Sequence, residues 1–276
     1  MLKKIISVGL ALLFTAFTLT GCGDNKDSHT LTVGVAAGPY GDMFKKAIAP
    51  GLEKKGYTIE IREFSDYVQP NIALANHEID INLFQHLSYL NNFKQARNLD
   101  LTAVAFVPTA GAGIFSNKIT DFSQLKPGDQ VTISNDVTNE ARALRILQAA
   151  GLIKLNPAIN PNDVMPKDII ENPYQLVIVP IEAPQTPRAL DSAVLSVVNG
   201  NYAIGAGLDL STALYTETLD KDLKNVIVIR TSDIDTLGKD IVEVVTSDDF
   251  NRVIDNKDDI FYSFQKPDYQ LYQLAN

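Results

Sequence analysis

The chain has 276 residues, with 24 Lys plus Arg against 33 Asp plus Glu and a formal net charge of −9. That acidity argues against a surface built to hold nucleic acid, which needs clustered Lys and Arg. The apolar share of 45 % and charged share of 21 % fit a folded rather than a disordered protein. One cysteine excludes an intrachain disulfide and any multi-cysteine zinc or iron–sulfur site. Three histidines, His29, His77 and His86, leave little material for a His-rich metal centre, and no metal or cofactor is expected.

Residues 1–21 read as an address rather than as fold. Lys3 and Lys4 precede an uncharged apolar run over residues 5–19, too short to span a bilayer at about 20 residues and suited to a secretory signal. The run ends in Leu19-Thr20-Gly21-Cys22, which resembles the bacterial lipobox, where the cysteine becomes the N-terminus and carries lipid. Cleavage there removes two lysines and leaves the body more acidic still. Acyl chains embed at about 0.8 kcal/mol per methylene, so Cys22 is expected to hold the protein at a membrane of the cell envelope. A polar tether is expected over residues 22–30.

Alternation of Leu31, Val33 and Val35 predicts a strand over residues 31–36. Phe44, Ile48 and Leu52 share a face and predict a helix over 42–55, kinked at Pro50 and capped by Gly56. A strand over 57–63, a helix over 68–75, a strand over 78–83, a helix over 87–98 and a strand over 101–107 follow. His77 falls where a helix must end, and His tolerates the left-handed region, so it reads as a cap. Pro108 to Gly113 is a break and the expected crossover. Further strands are expected over 131–134, 176–180, 193–198 and 225–230, with a helix over 139–150 ended by Gly151 and helical material over 247–256. This rhythm predicts an α/β fold of two lobes, each a mostly parallel sheet flanked by helices, with the ligand between them. Lobe I is expected to comprise 31–107 plus 200–276, and lobe II 108–199. The architecture resembles a two-lobed periplasmic binding protein of type II.

Three places could carry chemistry. Asp136 or Thr138 can cap the helix that follows Ser134-Asn135-Asp136, and Arg142 is expected in its first turn, placed to grip a carboxylate with two parallel hydrogen bonds. An Arg paired with a nearby acid is the competing reading, and spacing leaves both open. Phe84, His86 and Tyr89 lie at a strand-to-helix junction, and Tyr67 precedes the neighbouring helix. They form either an apolar box suited to a thioether or ordinary core aromatics with one satisfied histidine. Asn199 and Asn225 sit at strand boundaries, as turn residues or as amides facing the cleft. No Walker loop is present, Gly111-Ala112-Gly113 lacks a third glycine, and no G-x-S-x-G elbow occurs.

Six short segments then carry a resemblance across the chain: Phe64-Ser65-Asp66-Tyr67-Val68-Gln69-Pro70-Asn71, Ile79-Asp80-Ile81-Asn82-Leu83-Phe84-Gln85-His86, Ser134 to Leu144, Glu171-Asn172-Pro173, Glu182-Ala183-Pro184-Gln185, and Val198 to Ala203. In this order they are similar to the NlpA lipoprotein family, methionine-binding components of ABC importers. The resemblance implies a non-enzymatic, monomeric binding lipoprotein that delivers methionine to membrane permease and ATPase subunits. L-methionine is its first expected ligand, with D-methionine or a methionine dipeptide as family alternatives. It implies that Tyr67, Phe84 and Tyr89 enclose the side chain with His86 beside them, that Arg142 holds the α-carboxylate, and that Asn199 and Asn225 contact the polar end. Val137 stands where the family usually has proline. A surface lipoprotein of adhesive or antigenic role, with a relict or different pocket, is the alternative.

Overall fold

The computed structural model describes residues 29–267; the expected signal segment and lipid-bearing Cys22 lie outside them. Two five-stranded sheets organise the chain. The first takes β1 (His29–Ala36), β2 (Tyr57–Phe64), β3 (Ile81–His86) and β4 (Leu101–Phe106), and the second takes β5 (Gly113–Phe115) and β6 (Gln130–Ser134). After the small hairpin of β7 (Lys154–Leu155) and β8 (Ile169–Glu171), β9 (Val177–Ile181), β10 (Leu195–Val198) and β11 (Tyr215–Thr216) complete the second sheet. The last strand, β12 (Asn225–Arg230), returns to the first. The orders are β2-β1-β3-β12-β4 and β11-β5-β10-β6-β9.

Each sheet is parallel except for one reversed strand. In the first, β12 runs against both β3 and β4; in the second, β5 runs against both β10 and β11. The reversed strands follow the two crossovers between lobes, so the chain enters each sheet from the opposite side. The second crossover lies later than the expected return at residue 200, because β11 is an edge of the second sheet. A two-residue strand has no periodicity to read. The strand expected to start at residue 31 begins at His29, which pairs with Tyr57, so two residues assigned to the tether belong to the sheet.

The first helical stretch is continuous but changes pitch. α1 (Tyr40–Met43) passes through a π-helical turn at Phe44–Ile48 into α2 (Ala49–Lys54). Pro50 lacks an N–H and its ring collides with the carbonyl four residues earlier, so the ladder widens ahead of it, with the Ala49 N–H bonding to the Phe44 carbonyl. α3 (Gln69–Ala75) and α4 (Leu87–Arg97) flank the first sheet, and α5 (Val137–Ala149) packs on the second. α6 (Gly200–Gly205), α7 (Lys239–Val245) and α8 (Asp248–Ile254) follow. His77 adopts φ 61°, the left-handed cap read from its position.

Each lobe has its own apolar core. Leu31, Val33, Met43, Phe44, Ile81, Leu83, Ile227 and Ile241 fill the first, and Ile114, Val131, Ile133, Leu144, Leu147 and Leu195 the second. A third cluster joins them: Tyr67, Phe84, Tyr89 and Phe93 meet Phe115, Ala183, Leu190, Val198 and Tyr202. At the crossover, Gly200 is required by close approach. A Cβ there would lie 2.6 Å from the carbonyl oxygens of Ala110 and Gly111.

Candidate functional site

A small cavity lies between the lobes, the place where two-lobed α/β folds form their ligand sites. Its walls include all seven residues expected at a ligand: Tyr67, Phe84, His86, Tyr89, Arg142, Asn199 and Asn225. Tyr40, Gln85, Thr109, Ala110, Asn139, Gly200 and Asn201 complete the lining. The cavity sits where β3 and β10 end and their helices begin, with α5 approaching from the second lobe, as expected for parallel strands.

The aromatic wall is built by the end of β3. His86 is the N-cap of α4, and its Nδ1 accepts the Tyr89 N–H at 3.1 Å. Nε2 therefore carries the ring proton and donates it to Asn139 Oδ1 of the other lobe at 3.2 Å. Burial, reinforced by the positive charge of Arg142, pushes the His86 pKa down to about 3, so the ring is neutral at physiological pH. Tyr67 packs against Phe84 and Tyr89 at centroid distances of 5.8 Å and against Tyr202 at 4.8 Å. The Tyr89 hydroxyl donates to the Tyr67 carbonyl at 3.0 Å, and burial raises its pKa. The same rings thus line the cavity and pack as a core cluster. Behind them, Asn71, Asn82 and Gln85 are buried and interlocked by side-chain hydrogen bonds of 2.6–3.0 Å, which fix the end of β3.

The amides bridge the lobes. Asn199 is the N-cap residue of α6, yet its side chain makes no capping bond. It turns instead to donate to Asn139 Oδ1 at 2.9 Å and to the Tyr67 hydroxyl at 3.3 Å. The Tyr67 hydroxyl donates to Asn201 Oδ1 at 2.6 Å, and Asn201 Nδ2 donates to the Ala37 carbonyl at 3.0 Å. Asn225 opens β12 opposite His86, with its N–H held by Thr109 Oγ1 at 2.8 Å.

Arg142 departs from its expected place. α5 starts at Val137 behind the Asp136 cap, so Arg142 is in the second turn, beyond the free backbone N–H groups. It is also paired: its Nε lies 3.1 and 3.0 Å from the two carboxylate oxygens of Glu217, and its Nη2 donates to the same group. Arg142 is 5 % exposed and Glu217 7 %. The pairing with a nearby acid is thus present, and the same arginine also lines the cavity. Burial works against its charge, but the adjacent Glu217 carboxylate keeps its pKa above the ordinary value. Nη1 also reaches Asn139 Oδ1 at 3.4 Å. Asn139 and Glu217 were missed by sequence reasoning. Asn139 stood in a recognised motif, whereas Glu217 follows a strand of two residues and carries no local signal.

Two α/β lobes joined by two crossovers, with a buried pocket of aromatic, amide and guanidinium groups between them, define a ligand-binding protein of the bilobal type. The family model for the NlpA lipoprotein matches residues 31–263, and the chain belongs to that family. It is 40 % identical over 257 residues to the D-methionine-binding lipoprotein MetQ of Salmonella typhi, covering 90 % of this chain and 92 % of that one. It is 37 % identical to outer membrane lipoprotein 3 of Mannheimia haemolytica, covering 82 % and 86 %. Among solved structures, a nutrient binding protein from Burkholderia cenocepacia bound to methionine superposes with a TM-score of 0.77 at 33 % identity, covering 82 % of this chain and 95 % of that one.

Proposed function

We propose that the protein captures methionine in the interlobe cavity and delivers it to the permease and ATPase subunits of an ABC importer, acting as a monomer tethered to the envelope by lipid on Cys22. The observation that carries this reading is the meeting of an aromatic wall with Arg142 around one cavity between the lobes. Tyr67, Phe84 and Tyr89 enclose an apolar side chain, and a thioether gains about 0.3–1.5 kcal/mol from ring contacts. Neutral His86 adds no charge to that wall. Arg142 takes the α-carboxylate, while Asn199 and Asn225 meet the polar end of the amino acid, which needs both donors and acceptors.

L-methionine is the ligand proposed first. The name of the Salmonella relative supports methionine without deciding its stereochemistry here. Among the described residues no helix is long and apolar enough to cross a membrane. Mass spectrometry of the small molecule released by denaturing purified protein tests the reading. Methionine in near-equimolar amount is expected; an unrelated amino acid or a peptide lacking methionine refutes it.

A further inference from the structure

The five N–H bonds of Arg142 are divided in a definite way. Glu217 faces the edge formed by Nε and Nη2, and Asn139 Oδ1 lies toward Nη1. Glu217 occupies the Nε/Nη2 edge and therefore not the end edge of the guanidinium, which presents one N–H each from Nη1 and Nη2. Glu217 is itself held from several sides. Its Oε1 accepts the Ala112 N–H of the first crossover at 2.5 Å, and its carbonyl accepts from Gln265 Nε2 at 2.9 Å. It stands just after β11, at the second crossover, and its carboxylate is buried with Arg142. One carboxylate thus ties both crossovers to α5.

We infer that Glu217 is a positioning and selectivity residue: it fixes the plane of Arg142 so that only the end-on Nη1/Nη2 pair meets a carboxylate. By balancing the arginine's charge, it also makes the cavity favour a net-neutral zwitterion over an anion of the same shape. This rests on the reading of Arg142 as the carboxylate holder. An uncompensated buried arginine attracts any anion, whereas a compensated one leaves the zwitterion's ammonium facing a less positive cavity.

The test compares L-methionine with its α-hydroxy analogue, in which a hydroxyl replaces the ammonium, by calorimetry on wild type, Glu217→Gln and Glu217→Asp. Removing a unit charge about 12 Å from the ammonium, at an effective dielectric of about 20, changes relative affinity about tenfold. The hydroxy-acid to methionine affinity ratio is expected to rise by that factor in Glu217→Gln and to stay near wild type in Glu217→Asp. An unchanged ratio in Glu217→Gln, with methionine still bound, overturns the selectivity role and leaves the methionine reading intact. A wild-type protein that binds no methionine overturns both. Should Glu217→Gln fail to fold, side-chain nitrogen NMR of the wild type decides. The Arg142 Nε–H signal, assigned with Arg142→Lys, should persist and barely move on adding L-methionine while the Nη signals shift. An Nε signal that moves as far as the Nη signals contradicts the division of donors.

Discussion

Acidification should weaken the fold through His86 in a way a single variant isolates. The unfolded chain takes up a proton on this imidazole near pH 6.5, whereas the folded site, dry and facing Arg142, holds off protonation until about pH 3. Below pH 6.5 the unfolded state therefore binds a proton that the native state does not, and stability falls with pH until the lower value is reached. Each pH unit in that window is worth about 1.4 kcal/mol, so this one group removes about 3 kcal/mol by pH 4. Glutamine at the position can still accept the Tyr89 N–H and does not titrate. Urea unfolding of wild type and His86→Gln, followed by circular dichroism from pH 7 to about pH 4, cancels the contribution of other titrating groups. Wild type should lose about 3 kcal/mol more than the variant across that range. Parallel curves would refute the neutral, buried histidine.

Arg142→Ala should cost about 3–5 kcal/mol in chemical denaturation, because it leaves the Glu217 carboxylate buried without its cation; a variant as stable as wild type contradicts the pair. The binding role is better read from Arg142→Lys, which keeps the charge but loses the planar fork, and a drop of at least about tenfold in methionine affinity is expected by calorimetry. Val137→Pro should raise stability by about 0.4–1 kcal/mol in thermal melts. Val137 is 59 % exposed at the first position of α5, and the preceding Asp136 is already extended at ψ 143°, as a following proline requires. Cys22→Ser should move the protein from the membrane to the soluble fraction on cell fractionation, without altering ligand affinity.

The strand-to-helix junctions were legible because their signals are local. The apolar alternation of β1, the break after His86, the Asp136 cap and the left-handed His77 each depend on a few neighbouring residues. The same local signals placed Tyr67, Phe84, His86 and Tyr89 near strand-to-helix junctions but left a ligand box and a core cluster both open. Only the family resemblance put them around one ligand. Strand direction could not be read, since an apolar run such as Val226 to Ile229 looks alike whether it enters a sheet forwards or reversed. Glu217 was hidden for a related reason: its partner is 75 residues earlier, and the intervening chain sets their distance. The placement of Arg142 in the first turn failed by a single turn, because α5 begins at Val137 rather than at Asn139. The π-helical turn before Pro50 shows how a kink expected from one proline is absorbed as a change of pitch within an unbroken helix.

The most direct test of the central claim is calorimetric titration of the protein, freed of bound small molecules by unfolding and refolding, with L-methionine and D-methionine. Saturable one-to-one binding, tighter for the L isomer and weakened at least about tenfold by Arg142→Lys, is the predicted result. Absence of saturable binding to either isomer by a correctly refolded protein would contradict it.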